Sequence, residues 1–421
     1  MITILCAGSR GDVQPYLALA VALKKLGKEV RIAITRNHEN LVRSYGIDFY
    51  SVDVDFESLN VDKKMIREAQ RADNPIKMFF SFQKMKKYGI HMVNHYYSAC
   101  EGSEMIVYHP GVAIGYYAAE KMGIPSVLAS PFPLHKTRER PSVIFYSKVK
   151  STPPINLVSY MMLQQMLWMA SEASLKPFWK AHFGKLPDHF GAPFERHTDE
   201  RHPAVVSCSN FVFSRPGDWN EHIHQNGYWY VEEPEDFEPS PELTAFLNSG
   251  EKPVYVGFGS MFDQVEARKI PEAIIAGLSR IGKRAIISGM GKIPNAPDTI
   301  YTVDNIPHSW LFPRVAAVCH HGGAGTTAAG LRAGVPCAIM PFALDQYAWA
   351  QRTYELRVGA KPVPIRQISP EKFADAIQYA LQDRIVANAQ ALAKDIAAEN
   401  GAARSASVIA ACLERSKNAK H

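Results

Sequence analysis

Twice along this chain an apolar run ends in a glycine-containing turn, passes into a stretch with helical spacing, and returns to a second apolar run. That order is the signature of a βαβ unit, and it restricts the fold to parallel α/β sheets. The first copy opens at the start of the chain. Residues 2–7 read as a buried strand, Gly8-Ser9-Arg10-Gly11-Asp12 as a turn, and residues 15–26 as a helix with Leu19, Leu23 and Leu26 on its apolar side. Gly27 stops the helix and residues 30–34 form the next strand. Residues 105–108 and 126–129 extend the same sheet. The second copy runs from a strand and small-residue turn at 253–260, through a helix at 270–281, to strands at 284–288, 316–320 and 336–340.

A chain of 421 residues exceeds one ordinary core and suits two domains. The acidic, proline-rich stretch 231–242 has poor periodicity, as a linker would. The boundary is placed near Glu235, giving domains 1–235 and 236–421, with a last helix at about 400–415 that returns to the first domain. Each domain is expected to be Rossmann-like, with ligands beyond the carboxyl ends of its strands. Two such sheets facing each other would form a cleft.

Composition excludes several classes. The formal charge of +6 is spread along the chain, and no basic stripe suggests nucleic acid. Cys6, Cys100, Cys208, Cys319, Cys337 and Cys412 are far apart, which indicates neither a zinc site nor a disulfide framework. No basic leader precedes the first apolar run, and no apolar stretch is long enough to span a bilayer. The expectation is a cytoplasmic protein with at most peripheral membrane contact.

Val318-Cys-His-His-Gly-Gly-Ala-Gly-Thr-Thr-Ala-Ala-Gly330 carries the most chemical information. A strand ends at His320, glycines let the main chain approach a ligand, and a helix begins near Ala324 with its N–H groups directed into the turn. Such a turn holds a diphosphate through amides and the Thr326 and Thr327 hydroxyls. An adjacent histidine can stabilise a departing nucleotide. The competing reading is a tight turn with capping threonines.

Together with Gly8-Ser-Arg-Gly-Asp-Val-Gln-Pro15, Gly257-Phe-Gly-Ser260, Ile306-Pro-His-Ser-Trp-Leu-Phe-Pro313 and Pro341-Phe-Ala-Leu-Asp-Gln346, this stretch resembles the UDP-glycosyltransferases of the two-domain GT-B fold. The resemblance is closest to the branch of sterol glucosyltransferases and antibiotic-tailoring enzymes. It implies that His321, Gly323, Gly325 and Thr326 hold the donor diphosphate, with Ser260 reaching it from the opposite turn. It implies a base and ribose site on the 303–308 loop, including Val303 and His308. Plant relatives place a tryptophan under the base where Asn305 stands here, which leaves uracil and thymine both open; Trp310 reads as packing. Asp345 and Gln346 match the pair that binds donor sugar hydroxyls, a task suited to a carboxylate and an amide. Asp345 also reads as an N-cap of a helix at 346–356.

Much of the family carries Gly-His-x-x-Pro where this chain reads Gly11-Asp12-Val13-Gln14-Pro15. The resemblance gives Asp12 the role of general base. An ordinary aspartate, with pKa ~3.9, is a weak base, so proton transfer would be late and concerted with sugar transfer through an oxocarbenium-like transition state. Asp12 also reads as a cap of the helix from Pro15. Asp53-Val54-Asp55 is a D-x-D pattern without a supporting ligand cluster; it reads as a loop, and neither a metal nor a cofactor is expected.

Residues 60–100 and 140–185 are rich in Met and aromatics. Most read as core-facing helix. Phe79, Phe82, Met162, Met166 and Trp168 are candidates for an adaptable apolar acceptor pocket. The expected function is metal-independent, inverting transfer of a hexose, glucose above all, from a UDP-sugar to the hydroxyl of a sterol, terpenoid, polyketide or flavonoid. The rivals are a nucleotide-sugar epimerase of similar fold and a non-catalytic nucleotide-sugar or lipid-binding protein.

Overall fold

The structure, a computed structural model, describes residues 1–8, 10–53, 86–196, 199–231, 237–259, 269–291, 293, 296–304 and 306–418. It divides into two compact units, one of residues 1–142, 149–231 and 400–421, the other of residues 143–148 and 232–399.

The first unit is built on β1 (Ile2–Leu5), β2 (Val30–Ile34), β3 (Asp48–Ser51), β4 (Met105–Tyr108), β5 (Ser126–Ser130), β6 (Ala204–Ser207) and β7 (Ile223–Gly227). They form one parallel sheet in the order β3-β2-β1-β4-β5-β6-β7. β1, β4, β5 and β6 are buried along their whole length, which explains their mainly apolar sequences. Strand order reverses between β1 and β4, so the turns after these two strands flank the sheet's switch point.

Helix α1 (Arg10–Lys25) follows β1. It begins earlier than expected from Pro15. Proline favours the first helical position, so the sequence signals a start there. Here Pro15 lies inside the helix, and its missing N–H leaves a carbonyl one turn back without its usual helical partner. Asp12 therefore stands in the first turn of α1 rather than in a loop before it, where the helix dipole favours a negative charge. Among the described residues, the unit's other α-helices before the linker are α2 (Glu39–Ser44), α3 (Lys86–Ala99), α4 (Ile114–Met122) and the 31-residue α5 (Pro153–Phe183).

The second unit has a five-stranded parallel sheet, β10-β9-β8-β11-β12. Its strands are β8 (Val254–Gly257), β9 (Ala285–Ser288), β10 (Ile300–Val303), β11 (Ala317–His320) and β12 (Cys337–Ile339). Strand order reverses between β8 and β11. His320 lies in register with Gly257, so the turns after β8 and β11 start side by side. Around the sheet are α6 (Pro241–Asn248), α7 (Lys269–Arg280), α8 (His308–Leu311), α9 (Ala324–Arg332), α10 (Gln346–Glu355), α11 (Pro370–Ala380) and α12 (Asp383–Ala398). Phe373 and Ile377 of α11 are buried with Ile274 and Leu278 of α7 in one apolar cluster.

The last helix, α13 (Gly401–Asn418), belongs to the first unit. Its Ala406, Ile409, Cys412 and Leu413 are buried with Val13, Leu17 and Ala20 of α1. Trp229 Nε1 donates to Ser405 Oγ at 2.9 Å, closing this contact with a buried hydrogen bond. A Cβ on Gly401 would come 2.4 Å from the Gly227 carbonyl carbon, so the chain meets the end of β7 only because that side chain is absent.

Candidate active site

In the second unit β11 ends at His320 and α9 starts at Ala324, with Gly323 as its N-cap. The first N–H groups of α9 lack intrahelical acceptors and form an anion-seeking surface. Gly322 has φ +91°, and a Cβ there would lie 2.7 Å from Ile339 Cγ2 and 3.0 Å from the Gln346 carbonyl oxygen. The turn thus requires glycine for its conformation and for its clearance alike.

His321 lies over two glycines. A Cβ on Gly323 would meet its Nε2 at 2.6 Å, and a Cβ on Gly259, in the turn after β8, would approach its Cε1 at 3.3 Å. The imidazole is half-buried between the two turns and beside the start of α9. His320 is fully buried beneath it. The Gly322 N–H donates to His320 Nδ1 at 3.1 Å, and burial holds this histidine well below its ordinary pKa, hence neutral. The two histidines have different tasks: His320 fixes the turn and His321 is presented by it.

Gly325 and Thr326 are partly exposed in the first turn of α9. Thr327 is different. Its hydroxyl is buried and donates to the Gly323 carbonyl at 2.9 Å, so that proton is committed to the helix. Ser260 lies outside the described residues.

Asp345 and Gln346 stand where β12 passes into α10. Asp345 is the N-cap residue by position, yet its side chain accepts no capping bond; Oδ2 accepts from Trp349 Nε1 at 2.9 Å. Gln346 Oε1 accepts from the N–H groups of Phe342 and Ala343, at 2.8 and 3.2 Å. The side-chain carbonyl of Gln346 thereby ties down the loop. Leu344, just before the pair, has φ +51°, a strained conformation for a branched side chain and one that a fixed loop must impose.

Val303 ends β10, and His308 opens α8. The His308 ring stacks on Phe312 at 4.4 Å and an interplanar angle of 15°, and Nε2 lies 3.2 Å from the Tyr255 hydroxyl. These contacts give it a packing role in addition to any at a ligand. Trp310 packs on Phe237 at 5.1 Å, as the sequence suggested. Asn305 is outside the described residues.

In the first unit Asp12 is exposed and folds back over the turn after β1. A Cβ on Gly8, which has φ +124°, would lie 2.5 Å from Asp12 Oδ2. The glycine therefore makes room for the carboxylate. Asp53 of the D-x-D pattern pairs with Arg36; Asp55 is outside the described residues.

A family model described as the glycosyltransferase family 28 N-terminal domain matches residues 2–140, and one described as the erythromycin biosynthesis protein CIII-like C-terminal domain matches residues 275–413. The sequence is 32% identical over 419 residues to a sterol 3-beta-glucosyltransferase of Arabidopsis thaliana, covering 96% of this chain and 64% of that protein. A sterol 3-beta-glucosyltransferase of Cryptococcus neoformans is 30% identical over 449 residues, covering 99% of this chain and 27% of its own length. The chain thus spans less than two thirds of these relatives. Among solved structures, the glycotransferase of kitacinnamycin superposes with a TM-score of 0.71 at 15% identity, covering 98% of each chain. VinC, a glycosyltransferase solved in complex with dTDP, superposes with a TM-score of 0.63 at 16% identity, covering 98% of this chain and 99% of its own. The chain has the GT-B fold of these solved glycosyltransferases.

Helix α5 carries three of the acceptor candidates. Met162 is exposed and Met166 half-buried, on the helix face shared with exposed Ile155 and Val158. Trp168 turns away from them. It is buried against Tyr117 and Phe190, at ring distances of 6.3 and 5.3 Å, so the structure does not bring it together with the two methionines. Phe79 and Phe82 are outside the described residues.

The sequence reading passed over His109, just beyond β4. It is half-buried, its backbone N–H donates to the Leu5 carbonyl at 2.9 Å, and Asp12 bears on it electrostatically. The available signal was a histidine directly after the buried run 105–108, at a switch-point strand end, the same position that His321 approaches in the second sheet. Gly259 was not singled out as a neighbour of His321, although the sequence reading already brought its turn, through Ser260, to the same diphosphate.

Proposed function

We propose that this glycosyltransferase moves glucose from UDP-glucose to the hydroxyl of a sterol or similarly apolar alcohol, with inversion at the anomeric carbon. The observation that carries the reading is His321, placed over Gly259 and Gly323 at the start of α9. A diphosphate in that turn receives amides from the helix N-terminus, the Thr326 hydroxyl and the imidazole. Gly325 contributes an N–H without a side chain in the way, and Ser260 is assigned to the same group. Val303 and His308 are assigned to the nucleoside. Asp345 and the Gln346 amide are assigned to the sugar hydroxyls, as acceptor and donor.

The chemistry follows from these assignments. Asp12 takes the proton of the acceptor hydroxyl as its oxygen bonds to the anomeric carbon. The bond from that carbon to the diphosphate breaks, and the electron pair leaves with UDP. The charge gained on the leaving oxygen is met by His321 and the α9 amides. The step balances with these assignments and needs no further reactant.

The acceptor class is supported by the sterol glucosyltransferases among the relatives and by the apolar face of α5, where Ile155, Val158 and Met162 are exposed. Such a face suits a water-insoluble alcohol and is compatible with peripheral contact at a lipid surface. Among the described residues no helix is long and apolar enough to cross a membrane.

The test is incubation with UDP-glucose and dTDP-glucose against a panel of sterols, terpenoids, polyketides and flavonoids, with products read by mass spectrometry and anomeric configuration by NMR. A β-glucoside of a sterol, formed from UDP-glucose, is expected. An epimerised nucleotide sugar in the absence of acceptor, or no product from any alcohol, would overturn the reading.

A further inference from the structure

His109 is held from three sides. Its backbone N–H donates to the Leu5 carbonyl, joining the end of β4 to the end of β1. Its ring meets Tyr16 of α1 edge-on, with centroids 5.7 Å apart and planes at 66°. Its Nδ1 accepts the Gly111 N–H at 2.9 Å. An accepting Nδ1 in a neutral imidazole puts the proton on Nε2, so the nitrogen farther from the backbone is a donor. Tyr16 is itself fixed, since its hydroxyl donates to the Ala129 carbonyl at 2.6 Å. It lies one helical turn after Asp12 and so on the same face of α1.

We propose that His109 is a positioning residue for the Asp12 carboxylate, with its Nε2–H directed to that group from the end of β4. The inference rests on the reading of Asp12 as the base. The carboxylate must keep one oxygen aimed at the acceptor hydroxyl. An exposed side chain in the first turn of a helix does not do so unaided, and a half-buried donor on a neighbouring strand end, itself held by Tyr16 and Gly111, restricts its rotation.

The electrostatics agree. Burial lowers His109 to a pKa of about 4, and Asp12 acts against that shift, as a nearby carboxylate must. The other titratable groups packed here are Cys6 at the end of β1 and Tyr16 on α1; burial raises both, so they stay uncharged. Tyr96 of α3 donates its hydroxyl to the Cys6 carbonyl, and burial raises it as well. His38 of the turn before α2 lies 3.3 Å from the Gly8 carbonyl, on the other side of the β1 turn. Among the described residues Asp12 is thus the one charge that bears on His109.

Two replacements separate donor from packing. His109→Phe keeps a ring against Tyr16 and removes the N–H; His109→Gln keeps an N–H at nearly the Nε2 position and removes the ring. Glucose transfer by His109→Phe should fall in kcat by ~10²-fold, the cost of a misplaced reacting group, with KM for the donor unchanged. His109→Gln should stay within a few-fold of wild type. The opposite ranking would show a packing role and overturn the proposal. ¹⁵N NMR of the histidines gives a second reading that does not depend on activity. Wild-type His109 should be the neutral Nε2–H tautomer above pH about 4, and Asp12→Asn should move its titration lower. An unchanged His109 signal in Asp12→Asn would overturn the proposal even in an active enzyme. Absence of transfer in wild type would count against the function reading alone, with the NMR result still deciding this one.

Discussion

His321 is supported by backbone that has no side chains to obstruct it. Gly323 has an ordinary φ of −60°, so alanine fits its conformation, but a Cβ would meet His321 Nε2 at 2.6 Å. Gly323→Ala is therefore expected to lose no more than about 1 kcal/mol of stability, the scale of an N-cap change, while UDP binding weakens because the imidazole is displaced. Urea unfolding and a UDP titration would check the two effects separately. Gly322 differs, since its φ of +91° and its contact with Ile339 make alanine costly to the fold itself. His321 could be singled out in the sequence because histidine, glycine and threonine crowd one turn. The division of labour within that turn was not legible: whether His320 or His321 faces inward depends on strand pleat, and Thr327 spends its proton on a carbonyl that only the folded helix supplies. Burial also makes the histidines sensitive to acid. His109 and His320 have folded pKa values below the unfolded value of 6.5. The unfolded chain then binds more protons below that value, so stability present above pH 6.5 is lost as the pH falls towards about 4. The urea midpoint should decline through this window, and less steeply in His109→Gln.

Elements were legible where burial is continuous. β1, β4 and β8 are mainly apolar because each is covered on both faces, and a glycine turn follows β1 and β8 directly. β7, with the sequence Ile-His-Gln-Asn-Gly, escaped notice because its three central residues are polar, the buried Gln225 as well as the half-buried His224 and Asn226. The start of α1 escaped for another reason: proline's strong preference for a first position outweighed the weak signal of Arg10 and Gly11. The helix at the end of the chain was readable as a helix, but its partner surface is a matter of tertiary packing. Ile409 of α13 is fully buried with the α1 residues. Ile409→Ala should cost about 2–5 kcal/mol, read from denaturant unfolding followed in the first unit. If the loss were within ~0.5 kcal/mol, as at a surface site, α13 would not be part of that core.

At the scale of the whole molecule, two sheets with the same grammar each bring candidate residues to a switch point. Asp12 and His109 follow β1 and β4 in one sheet, while Gly259 and His321 follow β8 and β11 in the other. That doubling was legible, because strand-end turns are encoded locally by glycine and polar residues. The acceptor site was less so: its candidates divide between the exposed face of α5 and the buried side where Trp168 packs, a distinction that helical spacing alone does not assign to one surface or the other. The division of roles between the two sheets makes donor binding separable from proton removal. Calorimetric titration of UDP into wild-type, Asp12→Ala and His321→Ala protein tests this most directly. His321→Ala should bind UDP at least ~10-fold more weakly, the loss of a charge-assisted hydrogen bond, while Asp12→Ala binds as wild type does. Undiminished UDP affinity in His321→Ala would contradict the placement of the diphosphate in the β11–α9 turn.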